Sequence, residues 1–276
     1  MTNFLAQVTD KNTSPSTFLI LVFVLSIPFY LLGITGIPLP GIPTLPASAL
    51  MGFVPMIAAL ILTHRAHGSD GYIAMIRRLL DLNKHHRAIW VLATLLFMPV
   101  VTIAEFGILR LTGSSVPLPQ IAFDEAGYLF LALLIEAIGE ELGWQGYAYP
   151  ALRAKRNALW AALVLGAVWG LWHVIPYVQL GRSTSWIVWQ SLNAIARRIV
   201  IVWLFENTSK SVLIAVLFHT MINLTWALFP IAGSYYDPFV VFLILAPAAG
   251  MIAFLWGPDT LARFRFSARG HSDEFR

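Results

Sequence analysis

Eight apolar runs, each close to the length a helix needs to cross a bilayer, constrain this 276-residue chain more than any other feature. They fall at about 17–36, 47–63, 88–109, 128–149, 158–176, 185–205, 211–229 and 238–256. A helix rises 1.5 Å per residue, so roughly 18–20 apolar residues cross a hydrocarbon layer about 30 Å thick. Lipid offers the backbone no hydrogen-bond partners, and a helix satisfies them within the segment. At 58% hydrophobic and 12% charged residues, with a mean hydropathy of +0.73, the composition is far from that of a soluble domain. The expected fold is therefore an all-α polytopic integral membrane protein of about eight transmembrane helices. The absence of an internal repeat or a second domain makes 1–276 a single membrane domain. Thr17 to Gly36 is too long for a signal-peptide core and lacks a small-residue cleavage site, so it is expected to be a retained span behind a polar tail, 1–16.

Between the second and third runs, Tyr72, Ile73, Ile76, Leu79 and Leu80 share one helical face, with Arg77, Arg78 and Asp81 off it. Gly71 to Leu82 is thus expected to be one amphipathic helix lying in the interface. Pro38, Pro40, Pro43 and Pro46 forbid helix over Ile37 to Pro46 and favour an extended crossing. The basic residues alternate by loop. Fourteen fall on one side (Lys11, Arg65, Arg77, Arg78, Lys84, Arg87, Arg153, Lys155, Arg156, Lys210, Arg263, Arg265, Arg269 and Arg276) and only Arg110 and Arg182 on the other. That asymmetry predicts a multi-pass protein of the cell inner (plasma) membrane with both termini cytoplasmic. It also explains a pI near 9.5 without nucleic acid as a partner; the bilayer itself is the partner.

A charged side chain at the centre of a membrane helix costs roughly 2.5–3.5 kcal/mol, so acids retained at depth point to chemistry. Glu140 and Glu141 lie in the fourth run, which Tyr147, Ala148 and Leu152 carry several residues further. Glu136 and Glu140 are i, i+4 on one face, and Glu141 and Gln145 on the next. In the fifth run stands His173. If the fourth and fifth spans turn near Arg156, Glu140 and His173 are each about seventeen residues from the turn, or roughly 25 Å along antiparallel neighbours. His219 and Asn223, i and i+4 in the seventh run, place an imidazole and a carboxamide on one face. Gln190, Asn193 and Arg197 form a polar stripe in the sixth span that must face the bundle interior. Arg197 or Arg198 is the candidate counter-charge to Glu141, and Glu105 is expected to pair with Arg110 or water.

The chain has no cysteine, no H-E-x-x-H and no G-x-S-x-G, which excludes thiolate nucleophiles, the usual zinc metalloprotease helix and the serine elbow. The remaining inventory of Glu, His, His and Asn suits water activation by a general base with oxyanion stabilisation. Glu140-Glu141 with Gln145, Trp169 with His173, and His219 with Asn223 resemble, in order, the E-E-x-x-x-R, F-x-x-x-H and H-x-x-x-N motifs of the CAAX-protease and bacteriocin-processing family (CPBP, also called ABI). The resemblance runs over about 127–225.

That resemblance implies an intramembrane endopeptidase acting on membrane-associated peptides, either lipidated CAAX-type proteins or unprenylated peptides such as bacteriocin precursors. It makes Glu140 the general base, His173 its helper, and His219 with Asn223 the oxyanion site. Glu141, facing Gln145 where the family has arginine, is left either protonated or paired with Arg197 or Arg198. The preferred reading has no cofactor; the alternative places one zinc on Glu140, His173 and His219, with an open fourth position. A non-enzymatic immunity or scaffold protein of the same fold is the competing class.

Overall fold

The computed structural model describes residues 14–39, 42–79 and 88–266. The start of the polar tail, the end of the amphipathic segment from Leu80 on, His85, His86, His271 and the basic residues Lys11, Lys84, Arg87, Arg269 and Arg276 lie outside them. The described residues form an all-α bundle with one small hairpin. The helices are α1 (Pro15–Ile34), α2 (Val54–Leu79, entered through a 3-10 stretch, Ala47–Phe53), α3 (Ala88–Leu111) and α4 (Phe123–Gly143). A π-helical turn, Trp144–Ala148, joins α4 to α5 (Tyr149–Arg153). Then follow α6 (Ala158–Trp172), α7 (Val174–Gln179), α8 (Thr184–Asn207), α9 (Val212–Leu228) and α10 (Pro238–Trp256).

All eight apolar runs are helical. Six of the helical segments are long and apolar enough to cross a membrane. The other two runs fall short for separate reasons: α4 carries too many acids, and α9 is 17 residues long. The helix starts are chemically marked. Ser14, Asn157, Ser183 and Asp237 accept hydrogen bonds from the backbone N–H of Thr17, Trp160, Trp186 and Phe239, with proline in the first turn of α1 and α10.

Helix α8 is the axis of the bundle. It is buried on nearly every face from Ala194 to Phe205 and packs against α6, α10 and α9. At the edge, α1 turns Phe18, Val22, Ser26 and Tyr30 inward while Ile20, Val24, Ile27, Leu31 and Ile34 are exposed. A helix apolar on both faces is what a lipid-facing position requires. The described residues of the proline-rich segment are extended and non-helical, as expected, but they form a hairpin instead of a single crossing: Pro38–Leu39 lies antiparallel to Ile42–Pro46.

The amphipathic segment is a helix distinct from the span: within α2 the non-helical Gly68, whose φ of 62° suits glycine, separates the two. The segment folds back so that Gly71 and Met75 are buried near Thr63, with Ile73 and Ile76 exposed. Arg78 does not face water: its Nη1 donates to the Gly146 carbonyl, 2.6 Å away.

Candidate active site

Helix α4 reaches the centre of the bundle because glycine lets it. A Cβ on Gly139 would stand 2.8 Å from the Gly52 carbonyl oxygen, and one on Gly143 would stand 2.3 Å from the Pro55 backbone. The α4 backbone therefore lies directly on the start of α2, and the faces beside this seam, carrying Glu140 and Glu141, turn toward α6, α8 and α9. Both acids are buried, and Tyr147, Ala148 and Leu152 beyond them are buried too, so the pair is well inside the protein and not at an exposed helix end.

The two carboxylates have different surroundings. Glu140 Oε2 accepts from the indole N–H groups of Trp169 (2.7 Å) and Trp144 (3.3 Å). Its Oε1 lies 3.9 Å from His173 Nε2. His173 Nδ1 is 2.8 Å from the Trp169 carbonyl, which can only accept; Nδ1 therefore carries the hydrogen, and Nε2 of the neutral ring presents its lone pair toward Glu140. Two acceptors 3.9 Å apart make no bond to each other, but a single water at about 2.8 Å from each can donate to both. The His173 side chain is 23% exposed, whereas Glu140 is at 3%, so this pair is approached from the histidine side.

Glu141 is fully occupied. Oε2 accepts from Arg198 Nη1 at 2.7 Å and Oε1 from His219 Nδ1 at 2.9 Å, all three side chains being buried. Of the two candidate counter-charges the structure selects Arg198; Arg197, one residue earlier, points to the Tyr236 hydroxyl at 2.8 Å. Gln145 is buried with neither amide atom hydrogen-bonded, so it does not serve Glu141. The guanidinium of Arg198 also stacks over Trp169, 4.6 Å from the ring centre, and the edge of Trp169 meets His219 at 5.1 Å between ring centroids. Trp169 thus touches Glu140, Arg198 and His219 at once. In the sequence Trp169 stands only as the aromatic of the F-x-x-x-H motif, and its indole N–H is the signal that assigns it more.

Asn223 lies one turn from His219, and its Nδ2 is 3.5 Å from Glu136 Oε2. The five residues singled out by motif are therefore gathered from two helices, α4 and α9, and the break after α6. The polar stripe Gln190, Asn193 and Arg197 is buried as expected, but it serves the loop before α10: the Tyr236 hydroxyl donates to Gln190 Oε1 (2.5 Å) and Asn193 Nδ2 donates to the Pro238 carbonyl (2.8 Å). Glu105 departs from expectation. It is buried and accepts from the Asp237 backbone N–H at 2.6 Å, while Arg110 turns away to the Val116 carbonyl. The loop after α9 folds back over the end of α3 and supplies the donor that Arg110 was expected to give.

Among the described residues no three His, Asp or Glu side chains converge as a ligand set. The zinc alternative would draw on Glu140 Oε1, His173 Nε2 and His219 Nε2, the atoms that the hydrogen bonds of the site leave open.

Residues 122–225 match the sequence profile described as type II CAAX prenyl endopeptidase Rce1-like. The chain is also similar to CAAX prenyl protease 2 of Methanococcus maripaludis, 33% identical over 134 residues, covering 45% of this chain and 49% of that protein. The chain thus spans about half the length of this curated relative. Every residue of the site, from Glu136 to Asn223, lies inside the matched segment.

Proposed function

Since residues 122–225 belong to the Rce1-like family of type II CAAX prenyl endopeptidases, we propose that this protein is an intramembrane endopeptidase that hydrolyses peptide bonds of membrane-associated substrates by a glutamate-activated water. The observation that carries this reading is the 3.9 Å gap between Glu140 Oε1 and the lone pair of His173 Nε2. Water bridging them gives one hydrogen to each and turns an oxygen lone pair toward an incoming carbonyl carbon. Glu140 takes the proton as the C–O bond forms, and passes it to the amide nitrogen as the C–N bond breaks. His219, as an imidazolium whose Nδ1–H donates to Glu141, uses its Nε2–H with the Asn223 carboxamide N–H to stabilise the oxyanion, in a site where preorganised donors count for most. The Trp169 and Trp144 N–H groups keep Glu140 Oε2 occupied, so that Oε1 faces the water.

The substrate is a membrane-anchored peptide, prenylated or not, presented from the cytoplasmic side. The distribution of basic loops supports that side and cytoplasmic termini.

The test is cleavage of farnesylated and unprenylated membrane-anchored peptides by the purified protein, with Glu140→Gln beside it. The variant is isosteric: its carbonyl oxygen still accepts from both indoles, while its NH2, in the place of Oε1, cannot take a proton from the water. The expected result is a folded protein with cleavage reduced by at least about 10³-fold, in line with loss of an essential base. A wild type as inactive as the variant on every peptide would overturn the protease reading in favour of a non-enzymatic scaffold.

A further inference from the structure

Helix α6 ends at Trp172 and His173 stands at the break before α7, and the break has a chemical cause. Pro176 has no N–H, so the Trp172 carbonyl, four residues earlier, loses its helical donor. That carbonyl accepts instead from the Tyr30 hydroxyl of α1, at 2.9 Å. Two more bonds tie the same places together. Trp172 Nε1 donates to Ser26 Oγ at 2.7 Å, and Gln179 Nε2 donates to the Tyr30 carbonyl at 2.7 Å. Gly33 makes the approach possible, since a Cβ there would fall 2.1 Å from Gln179 Oε1. The device occurs twice: Pro150 likewise cannot donate to the Gly146 carbonyl at the end of the π-turn after Glu140-Glu141, and Arg78 takes its place.

We infer that Tyr30 is a positioning residue of the reaction: its hydroxyl supplies the hydrogen bond that Pro176 deletes, and so fixes the peptide plane from which His173 aims Nε2 at Glu140. Tyr30 lies in the edge helix α1, outside the 122–225 segment, and touches no reacting atom. Its action runs through the Trp172 carbonyl, which is bonded directly to the His173 nitrogen. The inference rests on the protease reading above, because it assigns Tyr30 to the aim of that reading's histidine.

The experiment is a cycle of Tyr30→Phe and Pro176→Ala in the full chain, read by cleavage and by hydrogen exchange of the amides at 173–180. Tyr30→Phe keeps the ring and removes one hydroxyl. Its kcat is expected to fall roughly 10- to 100-fold with KM within about twofold, as misaimed groups lose rate rather than binding. Exchange at 173–180 is expected to accelerate. Pro176→Ala returns an N–H to the helix, so the same Tyr30→Phe change made in that background is expected to cost less than about threefold and to leave exchange unaltered.

Two results would overturn the inference: Tyr30→Phe within twofold of wild type with unchanged exchange, or an equal loss in both backgrounds. The exchange comparison needs no activity. A wild type that cleaves nothing therefore refutes the protease reading and still leaves the Tyr30–Pro176 coupling to be decided.

Discussion

Replacing Arg198 by methionine tests the electrostatics of the site most directly. Arg198 and Glu141 are both at 0% exposure and 2.7 Å apart, and Arg198 Nε and Nη2 have no hydrogen-bond partner. Methionine fills much of the volume but leaves Glu141 with only His219 to balance it. Breaking a buried pair by removing one partner costs about 3–5 kcal/mol, because the survivor is an uncompensated charge in a low-dielectric interior. The stack of the guanidinium on Trp169 adds to the loss. For a chain of this size that is a fall of roughly 6–15 °C in unfolding temperature.

Removing both charges, Glu141→Gln with Arg198→Met, is expected to recover most of it, since a buried pair replaced as a unit is often neutral. Gln145→Arg in the Arg198→Met background is expected to recover part, because residue 145 is i+4 from Glu141 on the same helix. The assay is thermal unfolding of detergent-purified protein. If Arg198→Met melts within 2 °C of wild type, or if the double replacement is worse than the single, the pair does not hold the site as argued.

Two further outcomes follow from the geometry. Gly143→Ala sets a Cβ 2.3 Å from the Pro55 backbone, an overpacking of about 1–3 kcal/mol or more that outweighs the ~1 kcal/mol helix gain; Gly107→Ala and Gly250→Ala, with nothing within 4 Å, are expected to be neutral or stabilising in the same melt. Because the proposed water activation by Glu140 and His173 uses no metal, cleavage is expected to be unchanged by EDTA or 1,10-phenanthroline. A chelator-induced loss restored by zinc would refute that.

The apolar runs alone determined the all-α membrane fold, since backbone groups in lipid have one economical solution and the segment lengths match it. The equal spacing of Glu140 and His173 from the turn near Arg156 also brings the two together at one depth, because antiparallel neighbours share a rise per residue. Glu105 was not legible: its partner is a backbone N–H from a loop 132 residues away. Nor was the choice of Arg198 over Arg197 as the counter-charge of Glu141. Adjacent helix positions differ by about 100° in azimuth, and only the packing of α8 among α6, α9 and α10 decided which of the two faces the acids.

Tyr30 and Arg78 show the same limit from the other side. Pro176 and Pro150 announce in the sequence that two carbonyls near the site lose their helical donors. Which side chains replace those donors depends on where α1 and the end of α2 come to rest, and tertiary packing alone decides that.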